Sequence, residues 1–351
     1  MRIALDAMGG DHAPAVVIDG AVMAAREYDI EIVLVGREKA IQTELARHDT
    51  TGLGLSVVHA AQVIEMEEHT QAVKSKKDSS MAVGIKLVRD GQADAFVSAG
   101  NSGAVMAAAI LRGIGVGRIK GIRRPALATY YPAAASPVLL LDVGAQTDCK
   151  IEYLLQFAQM GAIYAERAMN IPNPRVGIVS NGEEADKGNM LVRDTFPVLQ
   201  ASGLNFVGNV EGKDVTKGLA DVVVTDGFTG NVMVKLTEGI VSFLAKYLKR
   251  ELTGGGLNKL ALALMAPGLL LTLPGLLLLL PALKRVAKRM DYAEYGGAPL
   301  LGVDGIVVIA HGRSNAKAIK NAIRQAKQAV EGDIITAIKE GLAAQNRKSE
   351  I

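Results

Sequence analysis

Four loops in this sequence concentrate the residue types that bind and orient an anion. The first, Ala7-Met8-Gly9-Gly10-Asp11-His12-Ala13-Pro14, follows an apolar run at the N-terminus. The second is Ser98-Ala99-Gly100-Asn101-Ser102-Gly103-Ala104, and the third is Asp226-Gly227-Phe228-Thr229-Gly230-Asn231. Loops of this kind aim backbone N–H groups and a helix dipole at one point. The hydroxyls of Ser102 and Thr229 and the amides of Asn101 and Asn231 add hydrogen-bonding groups, while Gly103 and Gly230 leave the backbone open to close approach. Helix capping and tight turns account for any one of these loops equally well. Asp11 and Pro14, for example, suit the first turn of a helix. The fourth loop holds Glu183, Glu184, Asp186 and Lys187 between Asn181 and Asn189. Lys187 can pair with a phosphate or a developing oxyanion while the acids orient it. A solvated turn is the plainer reading of that loop.

The familiar chemical signatures are missing. There is no G-x-G-x-x-G after the first strand, no G-x-x-x-x-G-K-[ST], no H-E-x-x-H and no G-x-S-x-G. The five histidines, His12, His48, His59, His69 and His311, stand apart in sequence, so no metal and no cofactor is expected. Cys149 is the only cysteine, which excludes an internal disulfide and a cysteine zinc cluster. Aromatic residues make up 4% and tryptophan is absent, so base stacking and a nucleic-acid partner are not expected.

The elements that must carry these loops follow from periodicity. Short apolar runs at residues 3–6, 31–35, 55–59, 95–98, 127–131, 138–142, 176–180, 205–207, 222–225 and 306–310 read as strands. Most are followed by a Gly/Asn/Asp loop and a helix-like stretch. That rhythm predicts an α/β fold, a largely parallel sheet sandwiched by helices. In such sheets ligands sit outside the carboxyl ends of the strands, which is where these loops lie. With 351 residues the chain can form one large domain over 1–351, with an inserted hairpin at 252–290.

That hairpin is the one break in the rhythm. Residues 260–283 carry no charge and are punctuated by Pro267, Pro274 and Pro281. The length suits a membrane span. The prolines and Pro-Gly pairs favour turns instead, and basic residues flank both sides: Lys246, Lys249, Arg250 and Lys259 before, Lys284, Arg285, Lys288 and Arg289 after. A hairpin dipping into the interface of an anionic membrane is therefore expected over buried or dimer-interface helices and over a true span. Its contacts would be Leu269, Leu270, Leu273, Leu276 and Leu277. A second basic cluster, Arg112, Arg118, Lys120, Arg123 and Arg124, has no acid among it and reads as a docking patch or a solvated loop. The N-terminus opens into a strand without a signal-peptide hydrophobic region, so a cytoplasmic body is expected.

The motifs DAMGGDHAP, SAGNSGA, LLLDVGAQ, SNGEEADKGN, GNVEGKD, ADVVVTDGFTGN and GGAPLLGVDG with HGRS, running in order from Asp6 to Ser314, resemble the phosphate acyltransferases of bacterial phospholipid synthesis. The departures are Ser102 for Thr, Gln146 for Asn and Lys213 for Arg. The resemblance implies a fold like isocitrate and isopropylmalate dehydrogenases and phosphotransacetylases, and a homodimer. It implies acyl carrier protein and inorganic phosphate as substrates. The acyl phosphate product would pass to a membrane glycerol-3-phosphate acyltransferase from a peripheral position on the inner face of the cell membrane. On that reading Asn101, Ser102, Gly103, Thr229, Gly230 and Asn231 hold phosphate, and Lys187 stabilises negative charge. Asp11 or Asp226 orients neighbours or handles a proton, with His311 a further proton carrier, and the 112–124 cluster docks the carrier protein. A decarboxylating dehydrogenase on the same fold and a non-enzymatic membrane adaptor are the rival readings.

Overall fold

Every apolar run picked out by period and composition coincides with a strand in the computed structural model. The structure describes residues 1–134, 136–255, 258, 264, 268, 272, 275, 277–282 and 292–349. The first half holds β1 (Arg2–Asp6), α1 (Ala15–Tyr28), β2 (Glu31–Gly36), α2 (Glu38–Leu45), β3 (Leu55–His59), α3 (Ala72–Ser75), α4 (Ser80–Arg89), β4 (Ala95–Ser98) and α5 (Ser102–Ile110). Then come β5 (Ala126–Tyr131), β6 (Val138–Leu141), α6 (Ile151–Ala168), β7 (Val176–Ser180), α7 (Met190–Gln200), β8 (Phe206–Glu211), α8 (Gly212–Val215), β9 (Val222–Val224) and α9 (Gly227–Thr253). The chain closes with β10 (Gly297–Leu301), β11 (Ile306–Ala310), α10 (Ala316–Glu331) and α11 (Ile334–Ser349).

The strands form one sheet in the order β3-β2-β1-β4-β11-β10-β5-β6-β9-β7-β8. Seven of the ten pairings are parallel; β10 with β11, β10 with β5, and β5 with β6 are antiparallel. The α/β class expected from the alternation is thus the class observed. The three antiparallel steps reverse the strand direction, so β1, β4 and β11 run one way and β6, β9, β7 and β8 the other.

Strand β10 is the one not foreseen. It carries Gly297 and Pro299, both poor strand formers, yet Pro299 lies opposite Val308 in the middle of the sheet. Tertiary pairing on both sides outweighs local preference there.

Both faces of the sheet are buried, which is why its strands read as continuous apolar runs. Ile3 and Leu5 of β1 face α1 and α10. Ala4, between them, faces the opposite side, where Phe96 packs with Met81 and Ile85 of α4 and Val105 of α5. A third cluster joins β5, β6, β7 and β9 to α6 and to Ile334 and Ile338 of α11. Fully burying one side chain such as Phe96 contributes ~1.5–3 kcal/mol. The loops between these elements are therefore anchored at both ends by core.

The chain divides into two compact units. Residues 1–230 with 292–351 form the first, and 231–291 the second, a division that falls ahead of the hairpin start read from sequence at 252. Within the second unit, Val232, Leu236, Ile240, Phe243 and Tyr247 recur at three- and four-residue steps along α9 and are all exposed. Phe243 and Tyr247 stack at 5.7 Å. No helix among the described residues is long and apolar enough to cross a membrane. Of the leucines expected to touch lipid, Leu277 is exposed in a short helical run with Leu278 and Leu279. Leu269, Leu270, Leu273 and Leu276 lie outside the described residues.

Candidate active site

A buried carboxylate organises the loop after β1. Asp6 is 2% exposed and sits at the strand end. It accepts hydrogen bonds from the Met8 N–H at 3.1 Å and the Ser98 hydroxyl at 2.7 Å. The Ser98 oxygen in turn accepts from the Gly100 N–H at 3.0 Å, so one acid ties the turn after β1 to the turn after β4. Gly9 is required at this junction, because a Cβ there would lie 2.6 Å from Asp6 Oδ2 and 2.7 Å from the Gly100 nitrogen. The Asp11 N–H donates to the Gly312 carbonyl at 2.8 Å, which adds the turn after β11. Asp11, Asn101, Ser102, Gly103 and His311 therefore share one nest of loops.

Their side chains are not equally available. Asn101 Oδ1 caps α5 through the Ala104 N–H at 3.0 Å, while its Nδ2 donates to the Met66 and Glu68 carbonyls at 2.9 and 3.0 Å. Its amide fixes the neighbouring segment and leaves no donor for a ligand. The Ser102 and Gly103 N–H groups open the first turn of α5 and have no partner among the described residues. His311 Nδ1 accepts from the Arg313 N–H at 3.1 Å. Asp11, Ser102 and His311 are exposed. Ser314 Oγ is buried in the same turn without a hydrogen bond among the described residues.

A second nest repeats the device. Asp142, fully buried, follows β6. Its Oδ1 accepts the N–H groups of Leu127, Gly144 and Ala145 at 3.0, 3.2 and 3.0 Å, and its Oδ2 accepts Gln146 N–H at 2.7 Å. The Gln146 carbonyl accepts the Gly227 N–H at 2.7 Å, joining this loop to the one after β9. Gly230 is needed where α9 crosses the loop, since a Cβ there would lie 1.9 Å from the Asp142 carbonyl oxygen. Asp226 accepts from the Thr229 N–H at 2.8 Å and from its hydroxyl at 2.7 Å, so it caps α9. Asp226, Thr229 and Gly230 thus belong together. Asn231 is exposed and opens the second unit.

Electrostatics follow from this packing. Burial raises the carboxyls of Asp6 and Asp142 above their ordinary value, and hydrogen bonds from Ser80 and Ser98, or from four backbone N–H groups, oppose it. Burial and the nearby carboxylates of Asp142 and Asp226 push the Cys149 thiol up to about 12. It stays protonated at neutral pH and is a poor nucleophile.

Lys187 sits in a third loop, after β7. The loop is braced by the Lys187 N–H to Glu184 carbonyl at 3.0 Å, Gly188 N–H to Asn181 Oδ1 at 2.8 Å, and Asn209 Nδ2 to the Glu184 carbonyl at 2.6 Å. Lys187 is exposed and has no ion pair among the described residues. Its neighbours do: Lys213 pairs with Glu211 at 2.5 Å and Lys217 with Asp214 at 2.6 Å.

The residues read from sequence as one phosphate site are thus divided between two nests, at the carboxyl ends of oppositely directed strands. The nests are linked through core: Val143 and Ala145 of the second pack on the cluster that holds Ala104 and Val105 of α5. Arg112, Arg118, Lys120, Arg123 and Arg124 are all exposed, on a segment pinned by the Arg123 N–H to Gln156 Oε1 at 2.8 Å. Asp6 and Asp142 were not singled out from sequence. Their signal is a shared one, Leu-Asp at the end of an apolar run followed within three residues by Gly, as in Leu5-Asp6-Ala7-Met8-Gly9 and Leu141-Asp142-Val143-Gly144.

Comparison with known proteins adds what geometry does not. Residues 1–337 match the family described as fatty acid synthesis protein. The phosphate acyltransferase of Herpetosiphon aurantiacus is 51% identical across 97% of this chain and 98% of that protein. The phosphate acyltransferase of Trichlorobacter lovleyi is 48% identical across 98% and 95%. A phosphotransacetylase structure from Streptococcus pyogenes covers 94% of each chain with a TM-score of 0.57 at 15% identity, a likeness of fold alone. A family match over residues 1–337 and near-full-length identity of about half with phosphate acyltransferases lead to one assignment: the chain belongs to the phosphate acyltransferase family.

Proposed function

We propose that the protein transfers an acyl group from the thioester of acyl carrier protein to inorganic phosphate, releasing acyl phosphate and the free carrier thiol. The observation that carries this reading is the near-full-length identity of about half with phosphate acyltransferases. The site chemistry agrees with it. A thioester carbonyl is already activated, and phosphate at neutral pH is already an anionic nucleophile. The protein must hold the phosphate in line, stabilise the oxyanion and exclude water. A phosphate oxygen attacks the carbonyl carbon, the C–S bond breaks, and the carrier sulfur leaves as thiolate and takes a proton.

In this reading the Ser102 and Gly103 N–H groups with the Ser102 hydroxyl hold phosphate, while Thr229 and Gly230, whose N–H and hydroxyl donors are already taken by Asp226, brace the second nest rather than bind it. Asn101 acts by bracing the first nest, and Asn231 adds a polar group at the start of the second unit. Lys187 offsets the oxyanion charge. Asp226 orients Thr229, while Asp11 and His311 handle the departing proton. The exposed 112–124 cluster docks the acidic carrier protein, a pairing that steers association.

The protein works in the cytoplasm as a homodimer lying against the inner face of the membrane, beside a membrane glycerol-3-phosphate acyltransferase. The exposed apolar line of α9 supports an additional contact surface, and the leucine-rich stretch with basic flanks supports lipid contact.

Two measurements test this. Purified protein given hexadecanoyl carrier thioester is expected to consume it only when phosphate is supplied, with chelator present. Consumption without phosphate, or none with it, overturns the reaction. Deleting residues 267–281 is expected to abolish co-sedimentation with anionic vesicles; retained binding would show that the anchor lies elsewhere.

A further inference from the structure

Helices α6 and α7 bound a groove of about 580 Å³. Cys149, Ile151 and Leu155 form one wall, and Met190, Leu191 and Val198 the other. Met190 is 71% exposed, unusual for a side chain of that size, while the other five are half-buried. Cys149, Leu155 and Leu191 rest on the core cluster beneath, so the floor is fixed. The charged side chains of Lys150, Glu152 and Asp194 are exposed at the rim.

Each wall begins at one of the polar loops already described. The Cys149 thiol is 3.5 Å from the Gln146 carbonyl, which also accepts the Gly227 N–H. Met190 directly follows Asn189, the residue that closes the Lys187 loop and caps α7 through the Val192 N–H at 2.9 Å. The groove therefore starts between the second nest and the Lys187 loop and continues away from both. From Met190 to Val198 it follows α7 for roughly 12 Å. The protonated thiol keeps the wall beside the nest uncharged.

We propose that this groove receives the hydrocarbon chain of the acyl thioester, with the carbonyl turned toward Gly227 and Lys187. The inference rests on the acyl-transfer reading and adds to it the place of the chain. An apolar slot with a polar mouth suits a chain that ends in a reactive carbonyl. Its volume falls within the ~300–1,000 Å³ of small-ligand pockets. A protein segment is a poorer occupant, because a stable interface buries about 1,200–2,000 Å², more than six apolar side chains offer. Val198 then sets how long a chain fits, and Met190, flexible and polarisable, adapts to it.

The protein contains no tryptophan, so Val198→Trp both narrows the groove and places a single emitter in its wall. The ratio of kcat/KM for hexadecanoyl over hexanoyl carrier thioester is expected to fall about tenfold or more, as for other substrates that overfill an apolar pocket. Tryptophan emission is expected to shift to the blue on adding hexadecanoate and to stay put with hexanoate. If Val198→Trp does not fold, Met190→Trp at the exposed mouth reports chain entry instead: its emission is expected to shift to the blue with hexadecanoate, and an unshifted emission overturns the groove. An unchanged ratio with unchanged emission, in protein that turns over thioester, overturns the groove. A chain-selective emission shift in protein that turns over no thioester keeps the groove and overturns the reaction.

Discussion

Asp142→Ala is expected to cost about 3–5 kcal/mol of unfolding free energy and to lower turnover at least ~100-fold. The carboxylate gathers four N–H groups from two segments, and Asp142 itself is fully buried. Alanine leaves those donors facing a void too apolar to hydrate all of them. Each buried donor left unpaired costs ~1–3 kcal/mol, and part of the loop relaxes to recover some of it. The relaxation is what damages catalysis. The 144–146 loop holds Gly227 through the Gln146 carbonyl, and Gly227 begins the turn that carries Thr229. A shift of ~1 Å in a positioning loop is enough for a hundredfold loss.

Asp142→Asn separates the two effects. It keeps an acceptor for Leu127, Gly144 and Ala145 and loses only the Gln146 N–H contact, so it is expected to recover most of the stability and part of kcat. Urea unfolding and steady-state kinetics on both variants check this. An Asp142→Ala protein with wild-type kcat would show that the loop position does not matter to the reaction.

The same residue shows how much of the molecule was legible beforehand. Strands buried on both faces announce themselves as unbroken apolar runs, so β1, β2, β4, β7 and β11 stood out. Strand β10 did not, because its Gly and Pro obey a partner on each side rather than local preference. The glycine loops were visible as composition, and their grouping was not. Asn101 reaches carbonyls of Met66 and Glu68 across more than thirty residues, and that contact, invisible in a linear pattern, turns a would-be ligand donor into a brace. Asp6 and Asp142 looked like strand ends. Only burial reveals that a carboxylate there already occupies the N–H groups that would otherwise be offered to an anion. What is left for an incoming phosphate is the narrower set at the first turn of α5, since Asp226 likewise occupies the donors of Thr229 and Gly230.

That narrowing gives Lys187 its weight. Lys187→Ala is expected to lower kcat by ~10²–10³, the loss typical of removing one donor from a developing oxyanion. Stability is expected to stay within about 0.5 kcal/mol, since the side chain is exposed and its loop is held by Asn181, Glu184 and Asn209 independently of the ammonium. The neighbouring lysines cannot substitute for it, because Lys213 and Lys217 are each paired with an acid of their own. Lys187→Arg keeps the charge and is expected to recover part of kcat, the larger fork fitting the same loop less well. If KM for phosphate rises while kcat holds, Lys187 binds the ground state and not the oxyanion. If neither constant changes, the cation of this loop plays no part, and the charge developing on the thioester carbonyl must be met by backbone N–H groups alone.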